Sequence, residues 1–248
     1  IPKRKGSLSV TRCLSSPLIW AWCRVMVCRL LGDSAVLVEV GNRVDDATAQ
    51  NVQALTEALA QHPFAGVVDI VPAYTTVAVH FDPIRIGGHC PSKLVQAWIE
   101  RTCSDIRPVS QSGPREWLVP VVYGGEAGPD LAWVAEHLGQ DEAEIVRRHC
   151  APSYTVRAIG FSPGFPYLAG LPETLRTPRR ATPRTQVPAG SVGIAGAQAG
   201  IYPQATPGGW NILGRTELRL FDPERRPPAL LRVGDRVRFE PVPREAHV

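Results

Sequence analysis

Two short apolar runs, Met26–Leu31 and Ala35–Val40, flank the Gly32-Asp33 pair, a pattern that predicts two strands around a turn. The period then changes. Across Asp45–Gln61 the apolar positions Ala49, Val52, Leu55 and Leu59 fall at helical spacing, with Asp45 or Asp46 placed to cap the first turn. β-Branched runs at Val67–Val71 and Thr76–Phe81 predict a second hairpin through a Pro-containing turn. Ser92–Cys103 reads as a second helix, with Leu94, Val95, Trp98 and Ile99 on its apolar stripe. The order strand-strand-helix-strand-strand-helix predicts a small α+β domain over 26–106, its helices packed on an antiparallel sheet.

Residues 107–115 hold two prolines, a glycine and two serines and read as a linker. Trp117–Tyr123 is expected as a strand, and Asp130–Leu138 and Asp141–Cys150 as short helices. Beyond Tyr154 the helical period vanishes, Pro and Gly become dense, and short β runs recur at Val187–Ala195, Leu218–Phe221 and Arg236–Phe239. Many short strands with Gly/Pro turns predict a mainly-β barrel or sandwich over 116–248.

Charge changes the picture only at the start of the chain. The formal net charge of +4 first suggests an acidic partner such as nucleic acid. Yet Lys3, Arg4, Lys5, Arg12 and Arg24 all lie in residues 1–25, where there is no acid, so the other 22 of the 27 basic residues face all 23 acidic ones. The folded region therefore offers no electrostatic footprint for nucleic acid. Residues 1–25 loosely resemble a secretory signal, but Arg24 closes the apolar run early and no small-residue cleavage site follows. Met26, the only methionine, is the expected native start, with 1–25 as an extraneous or disordered extension. No stretch is apolar for long enough to span a membrane. The six cysteines lack CxxC spacing, which fits a cytoplasmic protein, and no metal site is expected.

The chemistry concentrates between Thr174 and Thr216. That segment has no Asp, Glu, His, Lys or Cys, and its only charges are Arg176, Arg179, Arg180, Arg184 and Arg215. Arginine holds carboxylates and phosphates through a planar fork, so an uncompensated cluster points to an anionic small molecule. The alternative is pairing with acids elsewhere in the fold. Arg179 and Arg184 each follow a proline in a rigid loop, which favours the ligand for those two. Two Gly/Pro/aromatic loops, Gly160–Leu168 and Thr206–Asn211, could let backbone N–H groups and rings approach it. No G-x-x-x-x-G-K-[ST] phosphate loop is present, and we expect no α/β-hydrolase nucleophile. Anion binders without a conventional base look like half a site.

These residues also carry a resemblance. GFSPGFPYLAGLPETLRTPRR (160–180) through GGWNILGRT (208–216) resembles the PxpB family, the B-type subunits of 5-oxoprolinase, which includes the kinase inhibitor KipI and proteins labelled allophanate hydrolase subunit 1. LLGDSAVLVEVG (30–41), VVDIVPAYTTVAVHFDP (67–83) and VGDRVRFEPV (233–242) resemble it too. The resemblance implies an α+β domain followed by a cyclophilin-like barrel. It also implies a C-type and an A-type partner subunit, and ATP-dependent opening of 5-oxoproline to glutamate by the complex. Alternatives are a KipI-like inhibitor of a sensor histidine kinase, or the carboxyltransferase half of a urea- or allophanate-processing enzyme. We expect Arg184, Arg215 and Tyr202 to act in catalysis, and Arg179, Gln198, Gly208, Gly209, Trp210 and Asn211 to bind substrate or nucleotide.

Overall fold

The computed structural model describes residues 26–104 and 115–243, which fall into two compact units. The expectations for 1–25 and for 107–114 lie outside the described residues.

In the first unit, strands β1 (Val27–Leu30), β2 (Ala35–Glu39), β3 (Val67–Ala73) and β4 (Thr76–Phe81) form an antiparallel sheet in the order β1-β2-β4-β3. Val77, Val79 and Phe81 alternate along β4 and are buried, as are Val36 and Val38 of β2. Helices α1 (Asp46–Gln61) and α3 (Pro91–Ser104) contribute Val52, Leu55, Leu59, Val95, Trp98 and Ile99 to the same core. Asp45 caps α1 by accepting from the Thr48 backbone N–H at 2.8 Å. Two details differ from expectation. Pro72 lies inside β3, so the hairpin turns at Tyr74 and Thr75, and a one-turn helix α2 (Pro83–Ile86) follows Asp82, which caps it. Four residues are too few to show a period, so only the Asp-Pro start could have announced α2.

The second unit is a seven-stranded barrel with helices packed on it. Its strands are β5 (Glu116–Tyr123), β6 (Tyr154–Ile159), β7 (Pro166–Ala169), β9 (Ser191–Ala195), β10 (Gln198–Ile201), β12 (Asn211–Arg215) and β13 (Arg236–Pro241). They run in the order β6-β13-β5-β12-β9-β10-β7, and β7 pairs back on β6. All pairs are antiparallel except β13 with β5. Inward residues such as Val119, Val121, Val156, Val192, Ile194, Ile201 and Val237 fill the interior, joined by residues of α4 (Leu131–Leu138) and α5 (Glu142–Cys150). A short ribbon of β8 (Arg184–Val187) and β11 (Thr206–Gly208) stands apart from the barrel sheet.

Four expectations are corrected here. Val187–Ala195 is not one strand, because Pro188-Ala189-Gly190 breaks it and Gly190 takes a left-handed φ of +79°. Pro188 lacks the N–H a ladder needs, which makes the break intelligible. Leu218–Phe221 forms no strand; Phe221 makes only an isolated bridge to Ala229. Pro166–Ala169, read as irregular loop, is strand β7, in which Pro166 occupies the first position, where proline is tolerated. Arg115, placed in the linker, is anchored to the barrel by Asp235: its Nε donates at 2.9 Å, and the buried carboxylate also accepts from the Trp117 indole at 3.1 Å.

One buried group gives a pH prediction. His149 of α5 is fully buried, stacked on Phe239 at 4.6 Å, and its Nδ1 is hydrogen-bonded to the Tyr123 hydroxyl at 2.8 Å. Burial pushes its pKa down to about 3. The folded state therefore keeps it neutral while the unfolded chain protonates it near its ordinary value, so the unfolded state binds the extra proton between those two values. Stability attributable to this group is present above pH ~6.5 and is lost as pH falls towards ~3, by about 1.4 kcal/mol per pH unit. His149→Gln should make the melting temperature less steep against pH across that window. An unchanged slope would show that His149 titrates alike in both states.

Candidate functional site

The site grows from a choice of small residues on the outer face of the barrel. Along β9 and β10, Val192, Ile194, Ala199 and Ile201 point into the core, so Gly193, Ala195, Gln198 and Gly200 fall on the other face. That face is bare enough for rings to lie on it. A Cβ at Gly200 would sit 2.8 Å from Phe165 Cζ and 3.0 Å from Trp210 Cζ3. Phe165, Val187, Ala195, Tyr202, Trp210 and Ile212 form a separate cluster there, with Phe165 edge-on to Tyr202 (5.2 Å) and Trp210 (5.5 Å). Gly200→Ala should therefore cost about 1–3 kcal/mol through overpacking, read as a lowered melting temperature. No loss would mean that the rings can shift freely.

Tyr202, expected in catalysis, and Trp210, expected in binding, are buried, with 1% and 5% of their surface exposed. The ring presented to solvent is Phe161, 65% exposed, which sits edge-on to Phe165 at 5.6 Å and to Tyr202 at 6.5 Å. Phe161 is also the one non-glycine with a left-handed backbone among the described residues, at φ +71°. An aromatic side chain in that region is strained, and strain held in a loop marks a functional candidate. Sequence reading missed it because the loop's composition does not say which ring faces out. It also passed over the G-x-S-x-G spacing of Gly160–Gly164. The context is wrong for a nucleophile elbow, however, since the segment joins β6 to β7 instead of a strand to a helix. Ser162 itself is buried, and its hydroxyl has no partner among the described residues.

The arginines are not uncompensated, and the acid that answers them is Asp130. It stands immediately before α4 but makes no capping bond with its side chain. Its buried carboxylate instead accepts from Arg180 at 2.5 Å, from Arg184 at 2.7 and 2.9 Å, and from the Ile212 backbone N–H at 2.7 Å. The fork of Arg184 is thus occupied, and its hydrogen bond to Asp130 raises its pKa. Arg176 pairs with Glu173 at 3.0 Å. Asn211 is buried and donates to Thr177 Oγ1 (3.0 Å) and the Pro178 carbonyl (2.8 Å), which ties the arginine loop to β12.

Arg179 is different: it is exposed and has no hydrogen-bond or ion-pair partner among the described residues. Burial raises the Tyr202 pKa, while a backbone hydrogen bond from Trp210 and the charges of Arg179 and Arg184 oppose that rise. Gly208 lies against the same phenol; a Cβ there would come within 2.3 Å of Tyr202 Oη. Gly209 supplies a carbonyl that accepts from the Arg180 backbone N–H at 2.8 Å. The structure therefore brings Arg179, Arg184, Gly208 and Trp210 to the Tyr202 phenol, while Gly209 and Asn211 tie down the arginine loop. Gln198 lies half-buried on the Gly200 face. Arg215 stands apart, opposite Val122 on β5, where its Nε donates to the Ala189 carbonyl at 3.0 Å.

What the arrangement offers is a cationic, ring-lined surface with a buried phenol and no carboxylate or histidine free to act as a base beside it among the described residues. Nor does any group of three or more described His, Cys, Asp or Glu residues fit a metal ion, and no described helix is long and apolar enough to cross a membrane. An α+β unit joined to a seven-stranded barrel with this loop cluster defines a class of protein. The chain belongs to the family of the carboxyltransferase domain, subdomains C and D, whose family model matches residues 26–231. It is similar to the B-type subunit of 5-oxoprolinase from Escherichia coli O157:H7, 46% identical over 215 residues that cover 86% of this chain and 95% of the relative. The same-named protein of Bacillus subtilis strain 168 is 39% identical over 84% of this chain and 90% of its own length. Among solved structures, TTHA0988 is 38% identical with a TM-score of 0.73 over 84% of this chain, which spans 40% of that longer protein.

Proposed function

We propose that this chain is the B-type subunit of an ATP-dependent 5-oxoprolinase complex, which opens 5-oxoproline to glutamate in the cytoplasm. The observation that carries this reading is the likeness to the B-type 5-oxoprolinase subunit along nearly the whole length of that relative. The site's chemistry agrees with it. Opening a lactam develops negative charge on the carbonyl oxygen or on a phosphoryl group transferred to it, and cationic donors fixed beforehand lower that barrier. Arg179 is the donor left free to meet such an anion, Phe161 supplies an apolar wall, and Tyr202 offers a phenol kept protonated by burial. Asp130 and Asn211 hold the arginine loop in place.

ATP is used by the complex, not through a phosphate loop in this chain, whose sequence has none. A base must come from elsewhere, so the site is completed by a C-type subunit, and an A-type subunit completes the reaction. Co-expressed with its C-type partner, the chain should elute as one complex in size-exclusion chromatography at micromolar concentration. Separate peaks would contradict the half-site.

A further inference from the structure

Away from the Tyr202 group the barrel carries an open cleft of about 550 Å³. It is lined by Val122, by the turn Gly125–Ala127 and by Arg215 to Glu217, and shares no residue with the Tyr202 group. Its size falls within the range of small-molecule sites, about 300–1,000 Å³. The turn is held open by two successive left-handed glycines, Gly124 (φ +69°) and Gly125 (φ +53°). It is closed by the Gly124 N–H to the Leu213 carbonyl and the Gly128 N–H to the Gly124 carbonyl, at 3.0 and 2.9 Å.

Within that turn the backbone N–H groups of Gly125, Glu126 and Ala127 donate to nothing among the described residues. Successive free N–H groups in a tight turn make an anion-binding concavity. Arg215 adds to it. Only its Nε is used, on the Ala189 carbonyl, so the two terminal guanidinium nitrogens have no partner among the described residues. The same cleft also carries the carboxylate of Glu126. That carboxylate repels a bare phosphate or dicarboxylate, and the guanidinium repels a bare amine. A molecule with both charges a few ångströms apart satisfies both walls.

We propose that this cleft binds a free amino acid, its α-carboxylate on Arg215 and the 125–127 N–H groups and its α-ammonium on Glu126. The cleft's residues are not those proposed for the reaction above, and the proposal is tested on the full chain alone, without partners or ATP. Calorimetric titration with L-glutamate and with glutarate, the same molecule without its amine, separates the two charges. Saturable binding of L-glutamate with Kd of about 1 mM or tighter is expected, with glutarate at least tenfold weaker. Arg215→Ala and Arg215→Lys should each weaken L-glutamate, the first by about tenfold or more, because lysine keeps charge but not the fork. Glu126→Gln should weaken L-glutamate and leave glutarate unchanged. Melting temperatures of the three variants within a few degrees of the parent, on the scale of surface substitutions, confirm that the fold is intact. No saturable binding of L-glutamate at about 10 mM overturns the proposal, as does parental affinity in both folded Arg215 variants. Equal affinity for glutarate would leave an anion site only and overturn the amino-acid assignment.

Discussion

Replacing Asp130 with alanine is expected to lower the melting temperature by on the order of 10 °C, with a parallel loss of turnover in the assembled complex. The carboxylate is 3% exposed and is the shared acceptor for Arg180, Arg184 and the Ile212 N–H. Its removal leaves two like charges side by side and a buried N–H without an acceptor. Breaking a buried ion pair in this way costs about 3–5 kcal/mol. The two arginines are 34% and 25% exposed, so water relieves them and the lower end applies. For a protein of this size about 3 kcal/mol corresponds to roughly 6–12 °C. Asp130→Asn keeps the shape and one acceptor, and should fall between parent and alanine. A melting temperature unchanged in Asp130→Ala would mean that the arginine loop is held without it.

Arg179→Ala is expected to do the opposite: turnover of the complex falls by about tenfold or more, since one charge-assisted hydrogen bond contributes about 1.5–3 kcal/mol. Stability should stay within about 0.5 kcal/mol of the parent, because an exposed side chain with no partner among the described residues supports nothing in the fold. Arg184→Lys should lose both, since its fork already holds Asp130. The contrast between neighbours separates the arginine that meets the ligand from those that position it. Equal loss of stability and activity in Arg179→Ala would make Arg179 structural as well.

The sequence made the elements largely legible because burial imprints its period locally. Val77, Val79 and Phe81 announce a strand with one buried face, and Val52, Leu55 and Leu59 a helix, without knowledge of what they pack against. The arginine loop was legible as a place of interest, since a segment without acids stands out in composition. What covers its charge was not. Asp130 lies 50 residues before Arg180, and its place at the start of a helix gives no sign of so distant a partner. Similarly, the burial of Tyr202 and Trp210 was not legible, because only the folded chain reveals that Gly208 makes room for the phenol and that Gly193 and Gly200 make room for the indole. Phe161 emerged from its backbone angle, a quantity that residue type does not fix.

We propose that this chain supplies half of a lactam-opening site. The most direct test is glutamate release from 5-oxoproline and ATP by the purified C-type and A-type subunits, with and without this chain. Release should require all three chains and ATP, and should fall by about tenfold or more when the chain carries Arg179→Ala. Equal release with this chain omitted, or none from a stable complex of all three, would contradict it.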